Sequence, residues 1–253
     1  MTSELYSEFA SNKPSKLGLR ALRFQQSQLL KAVIAQTGEI TSVLEIGPGW
    51  GAFAALCRDR EINYEFIDNS PAISDLMIAE GFTGHCGTTD HLQEIQASTI
   101  WMSHVLEHSP TWKEARDMLS HLSEIAREGT RIVIIGPDFL SWRSEFFNVD
   151  STHGYPTTLR NVVQLVQDVG LTVAYAHHHR LASMRSLVRL AAFALVVVPW
   201  GLLDRLSWSR KDAGRGGFFF NFKVNFLLRQ LCVVAYKQPR VSKNHSDSFW
   251  NAR

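Results

Sequence analysis

Nine residues constrain this chain more than any others: Val43-Leu44-Glu45-Ile46-Gly47-Pro48-Gly49-Trp50-Gly51. An apolar run closes on an acidic residue and turns through three glycines at alternate positions. Ala52, Phe53, Ala54, Ala55 and Leu56 then read as the start of a helix. Strand, glycine turn and helix bring backbone against a nucleotide-like ligand. Glycine carries no Cβ, accepts positive φ and lets the ligand lie on the chain itself. Gly47, Gly49 and Ala52 also satisfy the dinucleotide pattern G-x-G-x-x-G/A, and a plain tight turn would need none of this repetition.

The rest of the chain alternates in period. Helical spacing runs over Leu17 to Gln36, strands over Thr41 to Ile46 and Tyr64 to Asp68, and Pro71 suits the first turn of a helix. Further strands are predicted at Phe82 to Cys86, Thr99 to Ser103, Arg131 to Gly136, Leu171 to Ala176 and Leu231 to Lys237. Helices are predicted at Gly51 to Arg60, Thr111 to Ala126 and Leu159 to Val169. Strands alternating with helices predict a parallel sheet covered on both faces, and Ile132-Val133-Ile134-Ile135 reads as a strand buried on both.

The 253 residues suffice for one domain, taken as 1–241, with 242–253 a loose polar tail. A net charge of +2 offers no field for nucleic acid. Cys57, Cys86 and Cys232 form neither a disulfide framework nor a C-x-x-C pair, and Met1 to Lys16 holds no apolar core of a signal peptide. Both point to a cytoplasmic protein.

Asp68 closes Tyr64-Glu65-Phe66-Ile67-Asp68, about twenty residues beyond the glycine loop. An acidic residue there accepts hydrogen bonds from ribose hydroxyls, and two carboxylate oxygens match two adjacent hydroxyls. Asp68 and Asn69 would also cap the helix that follows Ser70-Pro71.

Later segments complete a set. Ile100-Trp101-Met102-Ser103-His104-Val105-Leu106-Glu107-His108 leaves the fourth strand, and the fifth closes in Gly136-Pro137-Asp138. Asp150-Ser151-Thr152-His153 follows, then Thr158-Leu159 opens a helix ending at Val169-Gly170-Leu171. With the acidic-x-Gly-x-Gly-x-Gly loop, this set resembles class I S-adenosylmethionine (SAM) methyltransferases, in particular those like the ubiquinone-pathway O-methyltransferases and other small-molecule and glycan methyltransferases. It spans about residues 40 to 180 and the last strand, Val233 to Lys237. Three details favour this over a nicotinamide loop: Glu45 two residues before the first glycine, the third alternate glycine at Gly51, and a loop that starts behind a predicted helix.

The resemblance implies an α/β, Rossmann-like, seven-stranded sheet with helices on both faces and an insertion between the sixth and seventh strands. It implies SAM as cofactor, held by Glu45, Gly47, Gly49, Gly51, Asp68, Asn69, Thr88, Asp90 and Ser103. The chain departs from the family where Gly87-Thr88-Thr89-Asp90 replaces a glycine followed directly by an acid, so Asp90 or a backbone amide takes the place near the adenine. Ser98 and Thr99 stand where an Asp often leads the fourth strand.

Methyl transfer to a hydroxyl gains from a proton acceptor, and histidine serves near neutral pH. His108 and His104 are the first candidates and His153 the third, on the loop that should cover the site. His104-x-x-Glu107-His108 also reads as H-x-x-E-H, but a strand end is the wrong context for that protease helix. Some methyltransferases acting on vicinal hydroxyls hold a divalent ion with a similar cluster, and His104, Glu107, His108 and His153 are the residues that would do so. Bracing of the loop or direct substrate contact is the preferred reading, with no metal. A non-catalytic SAM-binding protein and an NAD-dependent oxidoreductase are the rival functions.

Residues 177–229 form a long insertion between the sixth and seventh strands. Leu190 to Leu203 is apolar but shorter than the roughly twenty residues a bilayer span needs. Arg180, Arg185 and Arg189 precede it, Arg205, Arg210, Lys211 and Arg215 follow, and Trp200 and Trp208 lie near its end. That pattern suits peripheral contact through 187–208 with the inner face of a membrane and a lipid-linked acceptor; a lid or a dimer contact is the alternative. His177-His178-His179 reads as a solvated strand end.

Overall fold

The computed structural model describes residues 14, 16–179 and 228–238. In chain order it holds α1 (Lys16–Thr37), β1 (Ser42–Ile46), α2 (Ala52–Asp59), β2 (Asn63–Asp68), α3 (Pro71–Ala79), β3 (Thr83–Cys86), β4 (Thr99–Ser103) and α4 (Trp112–Ile125). There follow β5 (Arg131–Pro137), α5 (Phe139–Trp142), α6 (Glu145–Val149), α7 (Leu159–Asp168), β6 (Thr172–His179) and β7 (Gln230–Tyr236). Single 3-10 turns, Thr89–His91 and Leu106–His108, follow β3 and β4. The insertion apart from its ends, including 187–208, and the 242–253 tail lie outside the described residues.

The seven strands lie in the order β3-β2-β1-β4-β5-β7-β6. From β1 the chain moves outward through β2 and β3, then returns to place β4 on the other side of β1. The crevice outside the carboxyl ends of β1 and β4 is therefore the switch point at which such sheets bind ligands. The expectation of a wholly parallel sheet is corrected: β7 runs antiparallel to both β5 and β6. The reason is the connection. The chain leaves β6 at His179 and returns at Gln230, its direct partner, so no crossover carries it back to the far end. The short helices α5 and α6 are also additions to the predicted elements.

Alternation along the strands builds two cores. Leu44, Ile46, Ile100, Met102, Ile132 and Ile134 face Leu119 and Leu122 of α4 and Val162, Leu165 and Val166 of α7. Val43, Trp101, Val133 and Ile135 face Leu29, Leu30 and Val33 of α1 and Phe53, Leu56 and Cys57 of α2. Phe53 stacks on Trp101, ring centroids 4.2 Å apart, and so seats the helix behind the glycine loop on the central strand. Burial of both faces explains the unbroken apolar run of β5. Among the described residues no helix is long and apolar enough to cross a membrane.

Candidate functional site

The crevice begins at the glycine loop. Gly47, Gly49 and Gly51 all take positive φ, at 70°, 54° and 71°. The Gly47 amide donates to the Ile67 carbonyl (3.0 Å), and a Cβ at this position would sit 2.8 Å from Val105 Cγ2. The loop is therefore pressed between β2 and the turn after β4, where a side chain has no room. At Gly49 a Cβ would meet nothing within 4 Å, so this part of the loop faces open space. Gly51 is the N-cap of α2 and supplies no side-chain cap, leaving the first-turn amides to a ligand or water.

Glu45 lies in β1, two residues before the loop's first glycine. It is 2 % exposed and accepts a 2.5 Å hydrogen bond from the Tyr64 hydroxyl. Burial, with a smaller push from Asp68, raises its pKa to about 8 against the pull of the Tyr64 bond. Glu45, expected as a cofactor contact, is thus a buried carboxyl at the base of the turn with its pKa raised by burial.

Asp68 stands at the end of β2. It is not the cap of α3: Ser70 takes that place, accepting from the Ile73 amide. Asp68 Oδ1 accepts from the Ser70 amide (2.8 Å), while among the described residues no group bonds Oδ2. Burial raises the carboxyl to about 6 against that amide bond. Asn69 beside it is exposed. The Gly87 amide donates to the Asp68 carbonyl (2.8 Å), so the loop carrying Thr88 and Asp90 adjoins Asp68. Thr88 and His91 close a capping box around the 3-10 turn, leaving Thr88 and Asp90 exposed. All of these belong to one rim.

The other side of the crevice follows β4. Ser103 accepts a hydrogen bond from Gln26 of α1 (3.0 Å), which fastens the N-terminal helix over the sheet edge. His104 has φ 59°, rare without a glycine, and its amide bonds the Ile135 carbonyl (2.8 Å). This kink throws Leu106–His108 into a 3-10 turn across the strand ends. Glu107 is fully buried. His104 Nδ1 donates to its Oε1 (3.0 Å), and the Gln230 amide faces His104 Nε2 (3.3 Å). Both nitrogens of His104 are engaged, and its Nδ1 bond holds Glu107 in place. Burial works against the Glu107 carboxylate, but the His104 bond and the neighbouring imidazoles outweigh it and hold its pKa below the ordinary value.

His108 Nδ1 lies 2.7 Å from Thr152 Oγ1, whose own proton goes to Asp150 Oδ1 (2.7 Å). A hydroxyl has one proton to give, so Thr152 accepts from His108, which carries its proton on Nδ1 and a lone pair on Nε2. Burial holds the His108 imidazole below the usual histidine range, against the pull of Glu107. His153 Nδ1 lies 2.5 Å from the Phe146 carbonyl and must donate to it, so its lone pair is also on Nε2. The two rings meet edge to face, 4.9 Å between centroids. Of the four residues His104, Glu107, His108 and His153, the last three converge, and His104 bonds Glu107.

Sequence reading missed several partners. Tyr64, Gln26 and Gln230 reach the site through packing and strand register, for which no local pattern exists. Asp138 is fully buried, within 3.0 Å of Arg229 Nη2 and 3.3 Å of His178 Nε2. It ties together the two strands from which the insertion leaves and to which it returns, so His178 is more than a solvated end.

Comparison with known proteins agrees with this geometry. A family model described as a methyltransferase domain matches residues 6–176. No curated protein matches the chain. A SAM-dependent methyltransferase from Archaeoglobus fulgidus is similar in structure, with 17% identity, 88% of this chain and 100% of that chain covered, and a TM-score of 0.55. Geranyl diphosphate C-methyltransferase from Streptomyces coelicolor, solved with Mg2+, geranyl diphosphate and S-adenosyl-L-homocysteine, shares 14% identity over 84% and 79% of the chains (TM-score 0.55). Phosphoethanolamine N-methyltransferase 2 from Haemonchus contortus shares 12% over 84% and 53% (TM-score 0.58). At these identities the likeness is one of fold. With the family model, the glycine loop and the rim around Asp68 in agreement, the chain belongs to the methyltransferase-domain family.

Proposed function

We propose that this chain transfers the methyl group of SAM to a hydroxyl of a small-molecule, glycan or lipid-linked acceptor. The observation that carries the reading is an imidazole of defined tautomer on the turn that leaves β4: Asp150 and Thr152 fix the proton of His108 on Nδ1, leaving the lone pair on Nε2. The open face at Gly49, the uncapped start of α2 and Oδ2 of Asp68 supply groups for a nucleoside-bearing cofactor.

The sulfonium of SAM makes its methyl group electrophilic. The acceptor oxygen attacks that carbon in line, the carbon–sulfur pair returns to sulfur, and the protein chiefly fixes geometry. The hydroxyl proton passes to His108 Nε2. Related folds carry C- and N-methylating enzymes; the placed imidazole supports oxygen here. The sequence of 187–208, apolar with basic flanks, supports an acceptor met at a membrane surface.

The test is His108→Ala, followed by transfer of labelled methyl from SAM to a panel of soluble and lipid-linked alcohols. The expected result is turnover reduced by roughly 10²–10⁴-fold with S-adenosylhomocysteine binding retained. Unchanged turnover would remove His108 from the mechanism.

A further inference from the structure

We infer that the hollow between α1, α2 and α3, behind the glycine loop, is a second ligand site for a small anion with a flat apolar body. Its effect on the cofactor rests on the methyl-transfer reading; the site itself does not. α2 turns Phe53, Ala54, Leu56 and Cys57 to the sheet, so Ala52, Ala55 and Arg58 form its outward stripe at three-residue spacing. α1 crosses that stripe at Leu19, Arg20 and Arg23, and α3 borders it at Leu76 and Met77. The two alanines do not fill the space between the helices, and a cavity of about 250 Å³ remains. Drug-sized ligands occupy roughly 300–1,000 Å³, so this hollow suits a smaller molecule.

The lining fits an anion. Arg20, Arg23 and Arg58 bring three guanidinium groups to one hollow. Arg58 donates to the Glu80 carbonyl (3.3 Å) and lies over the Phe82 ring, 4.8 Å from its centroid. Arg23 donates to the Ala55 carbonyl (3.2 Å). A carbonyl bond holds a guanidinium in place without cancelling its charge. Asp59 pairs with Arg23 and Glu80 also lines the hollow, so three arginines stand against two acids. Arg20 is exposed and has no bonded partner among the described residues. Guanidinium forks take carboxylate or phosphate. The rest of the lining is apolar, and Trp50 and Phe82 offer half-buried rings to a flat ligand body.

The hollow shares a wall with the cofactor loop. Trp50 and Gly51 belong to that loop and also line the hollow. A Cβ on Gly51 would lie 3.0 Å from Met77 Sδ and 3.7 Å from the Phe82 ring, so the last glycine of the loop rests on side chains of the hollow. The same glycine is the N-cap of α2. A ligand in the hollow therefore bears on the loop from behind. Glycine loses more conformational freedom on ordering than any other residue, and this loop has three of them at positive φ. A ligand that holds the loop lowers the ordering cost left to the cofactor, so each tightens the binding of the other by the same factor.

The experiment titrates the full chain calorimetrically with phenyl phosphate and with benzoate, whose ranking separates a phosphate from a carboxylate ligand. Inorganic phosphate and benzyl alcohol are the controls for the ring and the charge. Wild type, Arg20→Ala and Ala55→Leu are compared; the second variant fills the hollow from its floor. S-adenosylhomocysteine is titrated into each as a check on folding, and into wild type with the tighter probe present. The site predicts close to one probe per chain, bound about tenfold or more weakly in each variant, and wild-type affinity for S-adenosylhomocysteine raised about fivefold by the probe. Wild-type protein that binds S-adenosylhomocysteine but neither probe overturns the site. So does probe binding equal in all three proteins, or a probe driven off by saturating S-adenosylhomocysteine. Benzyl alcohol bound as tightly as benzoate overturns the anion, and inorganic phosphate bound as tightly as phenyl phosphate overturns the apolar body. Probe binding weakened in both variants of a chain that binds no S-adenosylhomocysteine supports the site and overturns the methyl-transfer reading.

Discussion

Replacing Glu45 with Gln should remove a large part of the alkaline instability of this protein. Glu45 is a buried carboxyl with one hydrogen-bond donor, Tyr64, and its pKa rises from 4.5 to about 8 on folding. A carboxyl raised in this way contributes fully below the unfolded pKa of 4.5, and that contribution is lost as pH rises towards about 8. At 1.36 kcal/mol per pKa unit, the cost of keeping Glu45 protonated is about 1 kcal/mol at pH 5, about 3 at pH 7 and about 4 at pH 8. Gln keeps an acceptor for Tyr64 and carries no charge, but brings an extra N–H that costs about 1 kcal/mol if unpaired. The offset between the two proteins is therefore small at pH 5, and the pH slope is the clean observable. Urea unfolding at pH 5, 6, 7 and 8 should show wild type losing about 3 kcal/mol relative to Glu45→Gln across that range. In thermal scans each kcal/mol corresponds to about 2–4 °C. Parallel pH profiles for the two proteins would refute the reasoning, because Glu45 would then be ionised in the folded state.

Two further predictions concern the cofactor rim and the insertion. With a pKa of about 6, Asp68 is largely ionised at pH 7 and largely protonated at pH 5, so S-adenosylhomocysteine should bind about tenfold more weakly at pH 5 if the carboxylate accepts the ribose hydroxyls. Calorimetry across that range checks it, and a flat profile in wild type, or a slope surviving in Asp68→Asn, would contradict it. Deleting 187–208 should release the protein from anionic liposomes in a pelleting assay; equal pelleting of both forms would exclude this segment as the membrane contact.

The parts of the fold legible in the sequence are those set by local periodicity and turn chemistry. Three alternate glycines after an apolar strand located the switch-point loop, and β4 runs over the predicted Thr99–Ser103. Pro71, Gly170 and the run Ile132–Ile135 marked their helix start, helix end and buried strand for the same local reasons. The direction of β7 was not legible, because a buried strand is apolar whichever way it runs. Only the return of the chain opposite His179 decides it.

The site divides similarly. Asp68, His108 and His153 could be named from motif spacing, but their protonation could not. The tautomer of His108 depends on Thr152, 44 positions away, and the fixing of His104 depends on Gln230, 126 positions away. The place of Glu45 in the motif says nothing of Tyr64, which arrives on the neighbouring strand and donates its hydroxyl to the Glu45 carboxyl.

The most direct test of the central claim is calorimetric titration of the purified protein with S-adenosylhomocysteine and, separately, with NAD, alongside Asp68→Ala. The account predicts micromolar binding of S-adenosylhomocysteine alone, weakened in the variant by the lost carboxylate. Binding of NAD in its place would contradict it, and the imidazoles after β4 would then belong to a redox site.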